Sequence, residues 1–359
     1  MTEKEALIAI STFIPFGPAR INLLISYFGS ASKVWMAHSK ELINLGLGEN
    51  KTTMFLTHRQ RFDLNQYLVR LEENKIEVVT QDESTYPKSL NEIDSKPILL
   101  YFKGHIENLD PAVAIVGARK MTSYGKEVAM KFARDLASLG VTIVSGLARG
   151  IDTYAHMGAL SAHGRTVAVL GCGLDVVYPR ENSRLAGDII KESGALVSEY
   201  PLGFPSFKAN FAVRNRIISG LARGVVVVEG TRRSGALHTA SAAAEQGRTV
   251  FAVPGQISSP NSQAPFFLLK NGAKLAISSE DILDELGMEI KVDRQLMESV
   301  LPTSSEEEKI LEILELEPKY LDDIVRISSL GVSNISARLT IMELKGLVKN
   351  MGRGLYKKC

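Results

Sequence analysis

The chain has 359 residues, of which 45% are hydrophobic, and its formal net charge is +2. This length and composition predict a globular protein of two or three domains. Because no stretch approaches the roughly 18 to 20 apolar residues that span a bilayer, and the N-terminus lacks the pattern of a secretion signal, we expect a cytoplasmic protein without a membrane segment.

Residues 1–80 are predicted to form a helical domain. Apolar residues recur there at helical spacing, and no strand pattern precedes Glu77. Leu45-Gly46-Leu47-Gly48 resembles the turn of a SAM/helix-hairpin-helix-like domain, whose exposed N–H groups can hold a DNA phosphate. A tight turn between two helices, without a ligand, is the simpler interpretation of the same residues.

Residues 81–288 are predicted to form a doubly wound, Rossmann-like α/β domain. From Pro111 onward, short β-branched runs alternate with amphipathic helical segments such as Gly125 to Leu139. Continuous apolar strands of this kind indicate a parallel sheet covered on both faces. The predicted strands are Val113–Val116, Val141–Val144, Val167–Leu170, Leu196–Val197, Val225–Val228 and Val250–Val253.

The last part of the chain is predicted to be a linker over residues 289–304 and a winged-helix domain over 305–359. Three helical patterns precede a short hairpin between Gly346 and Tyr356, which is the element order of a winged helix. The predicted recognition helix carries Asn334, Ser336, Arg338 and Thr340 but little positive charge. Duplex binding, a protein contact and a structural role all remain open for it.

Several loops that follow the predicted strands combine glycine with hydroxyl or basic residues. Ligands of an open parallel sheet bind beyond the carboxyl ends of its strands, where glycine and helix N-termini accommodate anions. The loops are Gly117–Arg119, Ser145–Asp152, Gly171–Gly173 and Glu229–Thr239. Together they predict a binding site for a phosphate-bearing ligand.

The usual nucleotide cofactors fit this site poorly. The first loop lacks the GxGxxG pattern, with Arg119 in place of the second glycine, and no acidic residue ends the second strand to bind a ribose. No GxxxxGK[ST] motif for nucleoside triphosphates is present either. The two cysteines form no CxxC pair. We therefore expect neither a cofactor nor a metal ion.

The segment from Ser206 to Arg216 places cations beside aromatic residues. Residues 201–248 contain seven basic and two acidic residues, so positive charge is concentrated in the middle of the chain. Aromatic faces stack on bases while Lys and Arg contact phosphates, a combination that suits single-stranded DNA. In the alternative interpretation, Phe211 packs in the core and Arg216 forms a local salt bridge.

These segments together resemble the DNA-processing protein A (DprA/Smf) family. The matching motifs occur in the family's order: Val113–Arg119, Ser145–Asp152 with His156 and Gly158–Leu160, Ser198–Pro201, Phe211–Arg216, Ser234–Ala240 and Val250–Gly255. The resemblance implies a Rossmann-like domain that binds single-stranded DNA in a basic pocket. It also implies a homodimer through that domain, which protects incoming DNA and helps to load the RecA recombinase during natural transformation.

The candidate DNA-binding residues follow from the loops and from this resemblance. They are Gly117, Arg119, Ser145, Gly146, Lys208, Phe211, Arg214, Asn215, Arg216, Ser234 and Gly235. Two segments depart from the family pattern. Ala212 replaces a proline, which affects only local rigidity, and the stretch that begins at Asn261 differs, so we expect a changed pocket rim there.

No catalytic residue is assigned. The six histidines show no metal-binding spacing and no GxSxG elbow is present. His156 and His238 are interpreted as structural, and Asp152 is interpreted equally well as a helix cap or as an acid–base group.

Two other functions compete with DNA binding by a non-enzymatic protein. The fold also resembles phosphoribohydrolases that release bases from nucleoside monophosphates, but their Pro-Gly-Gly-x-Gly-Thr loop is replaced here by Glu229-Gly-Thr-Arg-Arg-Ser-Gly, with Glu245 far along the next helix. Release of adenine from AMP would favour that alternative. A transcription factor led by the winged helix would instead protect one defined duplex sequence.

Overall fold

A computed structural model of the protein describes residues 1–288, 304–315, 317–352 and 354–358. Its contacts divide the chain into two units, Met1–Glu289 and Ile290–Cys359. The predicted boundary at residues 80 and 81 falls inside the first unit and stays a prediction. Of the predicted linker, only Ser304 belongs to the described residues. Cys359 lies outside them.

The N-terminal part is helical, and α4 and α5 flank the turn at Leu45–Gly48, although neither helix shows the apolar spacing from which the other helices were predicted. Thr2 and Glu5 form a reciprocal capping box at the start of α1, in which each side chain accepts the other's backbone N–H. Gly46 and Gly48 adopt φ values of +86° and +78°, so the turn between α4 and α5 requires glycine. The helices are α1 (Glu3–Ser11), α2 (Pro18–Phe28), α3 (Ala31–Met36), α4 (Ser39–Asn44), α5 (Glu49–Arg61) and α6 (Leu64–Glu73).

A nine-stranded sheet forms the centre of the first unit. The strands are β1 (Glu77–Thr80), β2 (Leu99–Gly104), β3 (Ala112–Val116), β4 (Thr142–Ser145), β5 (Thr166–Leu170), β6 (Ala195–Ser198), β7 (Gly224–Val227), β8 (Thr249–Ala252) and β9 (Lys274–Leu275). Their order is β1-β2-β6-β5-β4-β3-β7-β8-β9, with β3 to β9 parallel and β1 and β2 antiparallel at one edge. The six predicted strands are confirmed as β3 to β8.

The helices around this sheet explain why its strands are apolar throughout. Val113 and Ile115 of β3 face one hydrophobic core, whereas Ala114 and Val116 face another on the opposite side of the sheet. A sheet covered on both faces selects apolar residues at every position of its strands. The helices are α7 (Ser123–Ser138), α8 (Ile151–Ser161), α9 (Ser183–Lys191), α10 (Lys208–Gly220), α11 (Ala236–Glu245), α12 (Gln263–Lys270) and α13 (Ser279–Glu285). The doubly wound α/β fold is therefore confirmed.

The strand order contains one reversal. The chain adds β4, β5 and β6 outward from β3 and then returns to place β7 against the other side of β3. The loops after β3 and β7 consequently diverge and leave a crevice between them. Such a topological switch point is where open α/β sheets bind their ligands.

The second unit has the winged-helix order that the sequence predicts. Its elements are α14 (Ser305–Ile313), β10 (Lys319–Tyr320), α15 (Leu321–Ser328), α16 (Val332–Leu344), β11 (Val348–Asn350) and β12 (Leu355–Lys358). On α16, the predicted recognition helix, Arg338 forms an ion pair with Glu306 and donates to the Ser304 hydroxyl at 3.0 Å. This cation is therefore held against α14. Among the helices of the described residues, none is long and apolar enough to cross a membrane.

His156 is a core residue, which agrees with the structural role expected for it. Its imidazole is fully buried, and Nδ1 lies 2.7 Å from the Thr166 hydroxyl. That hydroxyl donates to the carbonyl of Ile143, so Nδ1–H of His156 is the donor to Thr166. Burial, and then the nearby Arg214 charge, lowers the pKa of His156 from 6.5 to about 3.

This burial predicts a pH-dependent stability. Because the folded pKa is lowered, the contribution of His156 is fully present above pH 6.5 and is lost as the pH falls toward about 3. The unfolded chain binds the extra proton in that window, so the free energy of unfolding falls by about 1.4 kcal/mol per pH unit. Urea unfolding measures this effect. Between about pH 7.5 and about pH 5, the free energy of unfolding should fall by about 2 kcal/mol less in His156→Asn than in the wild type. An equal fall in the two proteins would contradict the lowered pKa of His156.

Candidate nucleic-acid interface

A pocket lies at the switch point of the sheet, beyond the carboxyl ends of β3 and β7. Its volume is about 430 Å³, which is within the range of ligand-binding clefts. The loop after β3, the loop after β7 and the first turns of α10 and α11 supply most of its wall. The strand-to-helix loops that the sequence singled out therefore do converge.

Positive side chains dominate this pocket. Arg119, Lys120, Lys208 and Arg233 line it and are exposed, and none of them forms an ion pair with a carboxylate of the described residues. Asp152 is the one acidic residue of the described chain that lines the pocket. Four exposed cations without a protein counter-ion among the described residues give the pocket a positive electrostatic potential.

Arg214 lies in the floor of this pocket and is almost completely buried, with 3% exposure. Its Nη1 donates to the carbonyl of Gly146 at 2.8 Å and also to the carbonyl of Val169. Desolvation lowers the pKa of Arg214 to about 10, so the guanidinium stays charged at neutral pH. The side chain thereby joins α10 to the loop after β4 and to strand β5.

Asp152 holds the same loop from the other side. One carboxylate oxygen accepts the backbone N–H of Gly146 at 3.1 Å and lies 3.4 Å from the nitrogen of Ala148. Burial raises the pKa of Asp152, while the Arg214 charge and these N–H groups oppose that rise. Helix α8 begins after Gly150 and has no side-chain hydrogen bond at its N-cap, so the expected helix-capping role of Asp152 is wrong. The carboxylate instead holds the loop that precedes the helix.

Phe211 is half-buried on the first turns of α10, at the edge of the pocket. Arg119 and Arg214 lie over its ring, with their guanidinium carbons 5.2 and 5.8 Å from the ring centroid. Cation–π contacts of this geometry orient the Arg119 side chain. The structure thus brings Arg119, Lys208 and Phe211 together, as the sequence predicted.

Four further candidate residues also lie at the pocket. Gly117 lines it and packs so closely that a Cβ atom would lie 2.6 Å from the side chain of Ile151. Gly235 has open space where a Cβ would be, and Ser234 and Gly235 precede the first turn of α11. Asn215 donates to the carbonyl of Gly235 at 3.3 Å and so connects α10 to that turn.

Three candidate residues do not line the pocket. The hydroxyl of Ser145 is fully buried and donates to the carbonyl of Ile115. Gly146 lies beneath Arg214, where a Cβ atom would be 2.6 Å from the guanidinium. Arg216 points away from the pocket and donates to both carboxylate oxygens of Glu199, at 2.6 and 2.8 Å. Arg216 therefore forms the local salt bridge of the alternative interpretation.

Sequence reasoning missed several residues of the wall. Lys120 adjoins the predicted Arg119, and Thr231, Arg233 and His238 belong to the predicted loop after β7 without having been selected from it. Asn261 begins the stretch that departs from the family pattern, and its side-chain amide donates to the carbonyl of Lys120 at 2.9 Å. This residue forms the rim where the sequence predicted a change.

The carboxylates that a hydrolase would need are engaged elsewhere. Glu229 is buried and accepts the backbone N–H of Thr122 at 2.9 Å and its hydroxyl at 2.6 Å, so it holds the residue that caps α7. Glu245 is the exposed last residue of α11 and does not line the pocket. Neither carboxylate is placed to act on a ligand at the switch point.

Comparison with known proteins identifies two matching family models and several relatives. The family model for DNA recombination-mediator protein A matches residues 77–287, and a model for the DprA winged-helix domain matches residues 297–352. The Smf protein of Synechocystis is 33% identical, over 97% of this chain and 96% of its own length.

Two solved structures are similar to this chain. DNA processing protein A from Streptococcus pneumoniae has a TM-score of 0.67 and 34% identity, over 79% of this chain and 98% of its own. DNA processing protein A from Helicobacter pylori, described for its single-stranded DNA binding mode, has a TM-score of 0.53 and 30% identity, over 59% of this chain and 97% of its own.

The position of Arg214 predicts a coupled pair of substitutions. Arg214→Ala leaves two buried carbonyls without a donor and Asp152 without its nearby cation, so we expect a loss of about 3–5 kcal/mol in the free energy of unfolding. Gly146→Ala should also destabilise the protein, because its methyl group displaces the guanidinium. The double variant should be hardly less stable than Arg214→Ala, since the clash disappears with the guanidinium.

Urea unfolding followed by circular dichroism measures these differences. Arg223→Ala is the matched control, because Arg223 pairs with Asp110 at the surface, where the two side chains are 45% and 64% exposed. Such exposed pairs contribute about 0–1 kcal/mol. Fully additive effects of Gly146→Ala and Arg214→Ala would contradict the proposed contact.

Proposed function

The chain belongs to the DNA recombination-mediator protein A family, and we propose from this that it binds single-stranded DNA in the pocket at the switch point. The observation that carries the proposal is that four exposed cations line the pocket together with Phe211 and have no protein counter-ion among the described residues. The similar Helicobacter pylori protein is described for binding single-stranded DNA.

The chemistry of the pocket supports a single strand as the ligand. Arg119, Lys120, Lys208 and Arg233 would contact phosphates, and the N–H of Gly235 would add a backbone donor at the start of α11. The aromatic side chain would contact a base face, which is accessible only when the bases are unpaired. No carboxylate of the described residues is left free in the pocket for acid–base catalysis, which favours binding over turnover.

The family membership extends the proposal to recombination. We infer that the protein protects incoming single-stranded DNA in the cytoplasm and helps to load RecA on it during natural transformation. We also infer a homodimer through the Rossmann-like domain. Phe267, Leu275 and Ile277, near the β9 edge of the sheet, are 40%, 51% and 64% exposed, and this apolar surface supports a protein contact there.

Three single substitutions test the pocket. Arg119→Ala and Lys208→Ala each remove one phosphate contact, so the affinity for single-stranded DNA should fall and the slope of log K against log salt should decrease by about 0.7. Phe211→Ala removes a stacking contact and should lower the affinity roughly 5- to 100-fold. Fluorescence anisotropy with a labelled oligothymidylate over a range of salt concentrations measures both quantities.

Arg223→Ala is again the control, because Arg223 precedes β7 and therefore lies at the amino end of the strands, away from the pocket. It should bind as the wild type does. Wild-type affinity in Arg119→Ala, Lys208→Ala and Phe211→Ala together would disprove the site.

A comparison of DNA forms tests the role of the base faces. A duplex of the same length offers more phosphate charge but hides its base faces, so we expect it to bind more weakly than the single strand at the same salt concentration. Competition anisotropy with unlabelled duplex measures the difference. Equal affinities would mean that binding depends on phosphate charge alone and not on the base faces.

A further inference from the structure

Tyr178 adds an aromatic surface beside the proposed pocket. It follows β5, and its ring centroid lies 5.5 Å from that of Phe211, with an angle of 35° between the planes. A small cleft lined by Arg119, Arg149, Tyr178 and Phe211 continues from the pocket toward it. The side chain is 39% exposed, and its hydroxyl makes no hydrogen bond to the described residues.

Phe211 has only part of its ring surface free for the base in the pocket. Its ring lies within 6 Å of Arg119, Arg214 and Tyr178. A Cβ atom on Gly171 would lie 3.2 Å from the ring edge, so the backbone closes that side. The exposed surface of this aromatic pair therefore belongs largely to Tyr178.

The spacing of the two rings excludes a base between them. Stacked bases in DNA are about 3.4 Å apart, so a base inserted between two rings would hold their centres about 7 Å apart. The observed 5.5 Å is too short for this. A base that stacks on Tyr178 must use the face that is turned away from Phe211.

Positive charge is available next to Tyr178 for the phosphate of such a nucleotide. Arg149 pairs with Glu181, but the two side chains are 58% and 51% exposed. An exposed ion pair of this kind contributes little, so a phosphate can replace Glu181 at low energetic cost. Arg180 is exposed as well, and it forms no ion pair with the described residues.

We propose that Tyr178 and Arg149 form a second nucleotide subsite, which extends the bound single strand out of the pocket, past Phe211 and along the carboxyl end of β5. The proposal rests on the proposed function, because it assumes that the strand occupies the pocket. Phe211 serves in this arrangement as the support between the two nucleotides, and Tyr178 is a stacking residue for the second one.

The length of the ligand separates the two subsites. The mononucleotide thymidine 5′-monophosphate occupies the pocket alone, whereas an oligothymidylate of about 12 nucleotides also reaches Tyr178, whose ring is 5.5 Å from that of Phe211. Tyr178→Ala should lower the affinity for the oligothymidylate roughly 5- to 100-fold and leave the affinity for the mononucleotide unchanged. Tyr178→Phe should retain both affinities, because it keeps the ring. Arg149→Ala should decrease the salt slope of the oligothymidylate by about 0.7.

Tyr27→Ala is the matched control, since Tyr27 is 61% exposed on α2. Thermal unfolding of each variant identifies any loss of folding, and Tyr178→Leu, which keeps an apolar side chain without an aromatic ring, should bind as Tyr178→Ala does. Unchanged affinity of Tyr178→Ala for the oligothymidylate overturns the second subsite, and so does an equal loss for both ligands. Absence of single-strand binding by the wild type overturns the proposed function instead.

Discussion

The binding end of the sheet depends on the buried guanidinium of Arg214. This group joins α10 to the loop after β4 and to β5, and it stays charged because an arginine cannot lose its proton near neutral pH. A buried charge is costly unless its surroundings offset it. Two carbonyls and the nearby Asp152 carboxylate do so here, and Gly146 must lack a side chain to leave room.

This arrangement separates the polar residues at the switch point into two groups. Arg214, Asp152 and Glu229 are buried, and their polar atoms hold loops and helix ends. Arg119 and Lys208 are exposed and have no carboxylate partner in the described parts of the chain. The pocket keeps its positive potential because the acidic residues near it are already engaged. Loops held in this way place the free cations before a ligand arrives, which favours binding.

The sequence patterns predicted most of the fold and eight of the residues that line the pocket. The six parallel strands were recognised because strands buried on both faces are apolar at every position. Strand β2 and helix α5 were missed. Residues 99–104 form a short run that pairs antiparallel with both β1 and β6, and α5 carries mostly polar residues with only Thr52 and Phe55 buried. Periodicity detects amphipathic helices, and such a helix shows little of it.

Sequence alone determined the fold class, the convergence of glycine-rich loops at one sheet edge and the mixture of cations with aromatic residues on α10. These features follow from local pattern and from the general rule for parallel sheets. Tertiary structure decided the direction in which each of the two arginines on α10 projects. Arg214 and Arg216 are two residues apart on a helix and therefore project in different directions, one to the pocket floor and one to Glu199. It also placed Tyr178 beside Phe211, because only the packing of the loop after β5 against α10 brings the two rings together.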